Sequence, residues 1–146
     1  MSKEPNKETI QAWIHLHRSH RLLLDKVENK LKNSKLPSLD WYDVLLELNR
    51  KKETGLRQYE IGEKVLLSKF NLSRLIDRLE KNQLVVRQPC DDDGRGNQIK
   101  ITAEGVKVLK DMWPTYSQSI VENFGSYLDS NDCHELIRVL GKVLAG

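Results

Sequence analysis

Leu72, Leu75, Ile76 and Leu79 fall at i, i+3, i+4 and i+7, and this spacing constrains the fold more than any other feature of the chain. An apolar stripe of that period lies along one side of an α-helix and has to be covered by neighbouring elements. Turning about 100° per residue away from the stripe sends Phe70, Arg74, Asp77, Arg78 and Lys81 to the opposite side, with Asn71 and Ser73 on its flanks. Ser68 stands just before the helix, where its hydroxyl accepts a hydrogen bond from a free N–H of the first turn, so the helix is expected to begin at about Lys69. Upstream, Ile61 and Val65 keep an i, i+4 pattern in a short helix over about 58–65, and Leu66-Leu67 supplies the turn. Two helices joined so closely pack at a steep angle, which leaves the outer face of the second unobstructed. Three cations and few carboxylates on that face suit a phosphate-lined groove.

The segment that follows changes period. Leu84-Val85-Val86-Arg87-Gln88 is β-branched and apolar, and Gln98-Ile99-Lys100-Ile101-Thr102 alternates polar with apolar, as a half-buried strand does. The polar, glycine-containing run between them reads as the loop of a hairpin. Asp91, Asp92 and Asp93 at its tip repel DNA unless one of them is neutralised locally. Asp93 is therefore expected to orient Arg95, leaving the guanidinium to enter a narrow minor groove while Asp91 and Asp92 point away. Arg87 has two readings, a phosphate contact and an ion pair at the base of the hairpin.

The order helix, turn, helix, hairpin carries a resemblance. The run from Arg57-Gln58-Tyr59-Glu60-Ile61 through Leu79-Glu80-Lys81-Asn82-Gln83-Leu84-Val85, then Asp93-Gly94-Arg95 and Ile99-Lys100-Ile101-Thr102-Ala103-Glu104-Gly105, is similar to the MarR family of winged-helix transcription regulators. The similarity extends in outline over nearly the whole chain, and its most specific parts are the Asp-x-Arg wing and the Thr-x-x-Gly helix start. It implies that the second helix reads a major groove and that the wing arginine, Arg95 here, enters a flanking minor groove. Two positions depart from the family pattern. Gln83 stands where the family usually has glycine, so the helix is expected to end without a glycine left-handed cap. Phe70 stands where a small hydroxyl residue is common, which puts an aromatic ring within reach of a thymine methyl.

Outside the winged unit the chain reads as helices. A first helix covers about 7–33 and stops before Pro37; a second covers 39–49 with Trp41, Val44, Leu45 and Leu48 in phase. Thr102 caps a long helix carrying Val106, Leu109, Trp113, Ile120, Val121, Phe124 and Leu128, in which Pro114 is expected to bend but not stop the helix. A last helix follows Ser130 or Asn131. The expected fold is mainly α with a small β-wing: one domain, winged helix-turn-helix over 36–102, with dimerisation helices at 1–35 and 103–146. A winged unit of about 60 residues does not bury all this apolar surface, so the terminal helices are expected to form a homodimer, as the resemblance also implies.

Charge bears on which end meets DNA. Over the 146 residues the net charge is +3, too weak by itself to argue nucleic-acid binding. Basic residues exceed acidic ones by eleven to eight in 1–56 and nine to seven in 57–102, but trail by four to six in 103–146. The acidic end is the one expected to face away from DNA. No apolar run approaches the roughly 20 residues of a membrane helix, and the first residues lack the apolar core of a signal peptide, so a cytoplasmic location is expected.

The remaining candidates are weaker. His15, His17 and His20 have spacings that spread them over different helix faces, so no metal is expected. Cys90 adjoins three aspartates that disfavour its thiolate, and with Cys133 it reads as a plain thiol. Trp13, Trp41, Tyr42, Trp113 and Tyr116 are candidates to line a cavity for a small phenolic or lipophilic effector, which the resemblance also suggests; aromatics at helical spacing are otherwise core. There is no phosphate-binding glycine loop, no nucleophile with a placed base and no cofactor motif, so enzymatic function finds no support. The reading is a dimeric, sequence-specific regulator of transcription, expected to repress. It contacts double-stranded DNA through Ser68, Lys69, Phe70, Asn71, Ser73, Arg74, Arg78, Arg87, Asp93 and Arg95. The rival reading is a winged-helix module whose outer face binds another regulator.

Overall fold

The computed structural model describes residues 3–89 and 97–146. The elements run α1 (Lys7–Asn33), α2 (Leu39–Arg50), β1 (Leu56–Arg57), α3 (Gln58–Lys64), α4 (Lys69–Lys81), β2 (Val85–Pro89), β3 (Asn97–Ile101), α5 (Ala103–Asn123) and α6 (Ser130–Ala145), with a 3₁₀ turn at Gly125–Tyr127 before the last helix. Two compact units are formed. Leu31–Thr115 makes one, and the residues through Lys30 together with Tyr116–Gly146 make the other, so the division falls inside α1 and α5. Among the described residues, no helix is long and apolar enough to cross a membrane.

The unit Leu31–Thr115 holds nearly all of the buried side chains. Its core takes Val44, Leu45 and Leu48 from α2, Ile61 from α3, Leu72, Leu75, Ile76 and Leu79 from α4, and Leu109 and Met112 from α5. The four-residue stripe of α4 is thus buried as its spacing requires, and α3 packs against it where Gly62 approaches Leu72. Leu56, Val85, Ile99 and Ile101 close the core from the side of a three-stranded antiparallel sheet, order β1-β3-β2. In that sheet Leu56 faces Ile99, while Val85 faces Ile101 and Pro89 faces Asn97.

Three local features differ from expectation. The sheet has a third strand, β1, whose two residues are too few to show any periodicity and exist as a strand through pairing with β3. Gly55 makes its approach possible: it has φ of 75°, and a Cβ there would stand 2.7 Å from the Ile99 carbonyl oxygen. The helix begun at Thr102 runs unbroken through Pro114 but ends at Asn123, before Phe124 and Leu128, where the Asn123 amide donates to the Ser119 carbonyl and hydroxyl oxygens at 3.1 Å each. The last helix begins at Ser130 and is capped by Asp129, not by Ser130 or Asn131. Asp129 accepts from the Asp132 N–H at 2.8 Å and the Asp132 carboxylate accepts from the Asp129 N–H at 3.1 Å, a reciprocal capping box.

The end of α4 corrects the expectation drawn at Gln83. The left-handed cap is present although the residue is not glycine: Gln83 has φ of 64°. Its N–H donates to the Glu80 carbonyl at 2.9 Å and the Leu84 N–H to the Leu79 carbonyl at 2.9 Å, the paired bonds of a Schellman motif. Lys35 closes α1 in the same way, with φ of 60° and bonds from Lys35 N–H to Lys32 and from Leu36 N–H to Leu31.

The motif Thr102-Ala103-Glu104-Gly105 acquires a physical reason. The Thr102 hydroxyl accepts from the Gly105 N–H at 3.1 Å, capping α5, and donates to the Gln83 carbonyl at 2.8 Å, tying the cap to the end of α4. Gly105 sits so close to the chain leaving α4 that a Cβ would stand 2.4 Å from the Leu84 carbonyl oxygen and 2.6 Å from Ile101 Cγ1. A side chain of any size is excluded there.

The other unit, built from α1 through Lys30, the C-terminal part of α5 and α6, buries little. Among the described residues, Val27 and Ser119 are its buried members. Lys30 pairs with Glu122 at 3.2 Å, and Gln118 donates to the same carboxylate at 2.7 Å; these two hydrogen bonds hold the Glu122 carboxyl below its ordinary pKa. Large apolar side chains stand exposed along α1 and α6, among them Trp13 at 64%, Ile137 at 68% and Val143 at 71%.

Candidate nucleic-acid interface

Helix α4 is positioned at both ends by bonds that its own sequence supplies. At the start, the Ser68 hydroxyl accepts from the Asn71 N–H at 3.1 Å, as the sequence placed it. At the end, the Gln83 turn and the Thr102 hydroxyl fix the exit. With the apolar stripe buried, helical phase turns Lys69, Phe70, Asn71, Arg74, Asp77, Arg78 and Lys81 to the exposed side, and Ser73 is half-buried at its edge.

The charge of that face is set by an ion-pair network with the wing base. Arg87, on β2, reaches the Asp77 carboxylate at 2.7 Å and the Glu80 carboxylate at 2.5 Å. Burial works against the guanidinium's charge, and the two carboxylates more than offset it, so its pKa lies above the ordinary arginine value. Of the two readings open for Arg87, the structure realises the ion pair. The network engages both carboxylates of α4 with one guanidinium, and Lys69, Arg74, Arg78 and Lys81 stand exposed as four further cations. One of these cations has a defined posture: the Arg74 guanidinium carbon lies 5.5 Å from the centre of the Phe70 ring. Beside it, a cleft of about 230 Å³ is lined by Asp40, Leu67, Asn71, Arg74, Leu75 and Arg78. A second, of about 310 Å³, is bounded by Arg57, Gln58, Tyr59, Arg87, Asn97 and Ile99, between the start of α3 and the wing base.

Sequence reasoning named most of these side chains, with two exceptions. It named neither Asp77 nor Glu80 as a partner of Arg87, since their i, i+3 spacing on α4 does not show that the wing base faces them. It also missed the cation–π contact of Arg74 with Phe70, which i, i+4 spacing permits. Asp93, Arg95 and Cys90 lie outside the described residues. Of the five aromatic residues singled out, Tyr42 and Trp113 come together, their rings stacked at 6.2 Å and 19°. Burial raises the Tyr42 hydroxyl pKa, with Asp43 adding to the effect. Trp41 is half-buried in the same unit. Trp13 and Tyr116 belong to the other unit, where Trp13 packs its ring 4.3 Å from that of His17. His15 is engaged with the Gln11 carbonyl at 2.8 Å. Among the described residues no group of three His, Cys, Asp or Glu is placed to hold a metal ion.

A buried-stripe helix with a capped start, a cationic outer face and a strand pair tied to its last turns is the architecture of a winged helix-turn-helix. Comparison with known proteins agrees. The model of the MarR family matches residues 35–96, from the approach to α2 to just before β3. The HTH-type transcriptional regulator MhqR of Bacillus subtilis (strain 168) is 27% identical over 138 residues, covering 92% of each chain. AbsC, a MarR family transcriptional regulator from Streptomyces coelicolor, is 25% identical and superposes with a TM-score of 0.85 over 99% of this chain and 97% of its own. Together these matches support a MarR-family winged-helix regulator. A further structure with the same fold is Sco3205 from Streptomyces coelicolor, a MarR family regulator solved in complex with DNA. Its TM-score is 0.86 at 24% identity, over 98% of this chain and 91% of that one. The chain's relatives and fold neighbours are MarR-family transcription regulators, which are not enzymes.

Proposed function

We propose that this MarR-family regulator is a homodimeric, cytoplasmic repressor that occupies a pseudo-palindromic operator, with α4 in the major groove and the wing in the flanking minor groove. The observation that carries the reading is the charge of α4: Arg87 engages both its carboxylates while Lys69, Arg74, Arg78 and Lys81 stand exposed. Lys and Arg contacts to phosphates then provide most of the affinity. Phe70, Asn71, Ser73 and Arg74 meet base edges, Ser68 and Lys69 approach the backbone at the helix start, and Arg95, oriented by Asp93, enters the minor groove. That Sco3205 was solved in complex with DNA supports this mode of binding.

The dimer rests on a separate observation. Exposed Ile10, Trp13, Leu16, Ile137, Val139 and Val143 on α1 and α6 form more apolar surface than a monomer leaves in water. A second copy covers it, and two-fold symmetry then presents two recognition helices about 34 Å apart. The stacked pair Tyr42 and Trp113, the latter 48% exposed, supports a small phenolic or lipophilic effector that binds beside them and releases the DNA.

Footprinting on the DNA upstream of the chain's own coding region, in excess unrelated competitor, tests the reading. It predicts two protected major-groove segments one helical turn apart, lost as salt rises and in the presence of an effective phenolic ligand. Absence of protection at every salt concentration assigns the outer face of α4 to a protein partner instead.

A further inference from the structure

On the exposed face of α4, Phe70 and Arg74 form one unit. The Arg74 guanidinium carbon lies 5.5 Å from the centre of the Phe70 ring, within the roughly 6 Å range of a cation–π contact. The ring is 68% exposed and Arg74 is exposed beside it, so the pair stands out from the fold and is not part of its core. The contact leaves N–H donors of the guanidinium available while the ring restrains where it sits. A guanidinium held in this way is matched to the two acceptors that guanine offers in the major groove, O6 and N7. The ring's uncovered side is apolar and matched to the one apolar group that the groove offers, the thymine methyl. Their 5.5 Å separation is less than two base-pair rises of about 3.4 Å, which suits targets on neighbouring base pairs.

We propose that Phe70 and Arg74 together read a G·C pair next to a T·A pair. Arg74 takes guanine O6 and N7 as a bidentate pair, and Phe70 serves both as the positioning residue for that guanidinium and as the contact to the adjacent thymine methyl. This inference rests on the reading of α4 as the major-groove helix and adds the step that it recognises.

The test uses the full-length protein and the upstream duplex protected in footprinting, with each protected base pair replaced singly and each thymine replaced by deoxyuridine, which removes only the methyl. Wild type is expected to lose about tenfold or more in affinity when one G·C pair is replaced, and less when the neighbouring thymine loses its methyl. Phe70→Leu keeps an apolar side chain but no ring face. It is expected to lose most of the guanine discrimination, to keep part of the methyl preference, and to melt at the wild-type temperature. In the double variant Phe70→Leu/Arg74→Ala, guanine discrimination is expected to be no worse than in Arg74→Ala alone. Full guanine discrimination in Phe70→Leu, or an equal loss on all duplexes in Arg74→Ala, overturns the inference while leaving DNA binding intact. If wild type shows no competitor-resistant binding to any duplex, the DNA reading itself falls and this inference falls with it.

Discussion

Two side chains hold backbone positions that glycine would occupy at lower cost. Gln83, with φ of 64°, ends α4, and Lys35, with φ of 60°, ends α1. A left-handed residue with a Cβ costs roughly 1 kcal/mol against glycine, and glycine gives back part of that through its freer unfolded chain. Gln83→Gly is therefore expected to raise stability by about 0.5 kcal/mol in urea unfolding, with affinity for DNA unchanged; a loss of stability would show that the Gln83 side chain contributes more than its backbone strain removes. Gly105 is the opposite case. A Cβ 2.4 Å from the Leu84 carbonyl oxygen has no room, and that oxygen already accepts the Thr102 N–H at 3.0 Å. Gly105→Ala is expected to lower stability by about 1 to 3 kcal/mol, read as an earlier urea midpoint with unchanged m.

Between the elements, Arg87 ties β2 to α4. An ion pair this close to the surface contributes under about 1 kcal/mol to stability, so its larger effect is expected in function. Removing Arg87 leaves Asp77 and Glu80 without their cation on the helix proposed to meet phosphates. Arg87→Met is accordingly predicted to weaken binding to DNA of any sequence by several-fold while melting changes little, and Asp77→Asn/Glu80→Gln in the same chain should restore most of it. If the restoration fails, Arg87 acts on phosphate directly. The parts of this assembly that were legible in the sequence are the local ones. The α4 stripe and the Ser68 cap are written within thirteen residues and one neighbour, and the structure repeats them. Strand β1 was not legible because Leu56 and Arg57 become a strand only through β3, more than forty positions away. The Asp129 cap was passed over for Ser130, its neighbour, because both residue types cap helices and only the Asp132 carboxylate chooses between them. Arg87 was left open because sequence shows a cation near the wing base without showing which carboxylates face it.

For the molecule as a whole, the surplus apolar surface was legible from helical spacing alone, since Leu136, Ile137, Leu140, Val143 and Leu144 exceed what a terminal helix of a monomer needs. In the structure Ile137, Val143 and Leu144 stand 68%, 71% and 86% exposed. Ile137→Glu/Val143→Glu is predicted to give a monomer by sedimentation, because two carboxylates cannot be buried unpaired in an apolar interface, with footprinting lost although the Leu31–Thr115 unit stays folded. A dimer persisting at micromolar concentration would move the interface away from α6. The central claim is that α4 meets DNA with its exposed cations, and the salt dependence of binding tests it most directly. Plotted as log K against log salt on the upstream duplex, wild type should fall steeply and linearly, and Arg78→Ala should fall less steeply by roughly 0.9 per phosphate contact removed in each half-site. A slope that Arg78→Ala leaves unchanged, or a wild-type affinity indifferent to salt, would contradict it.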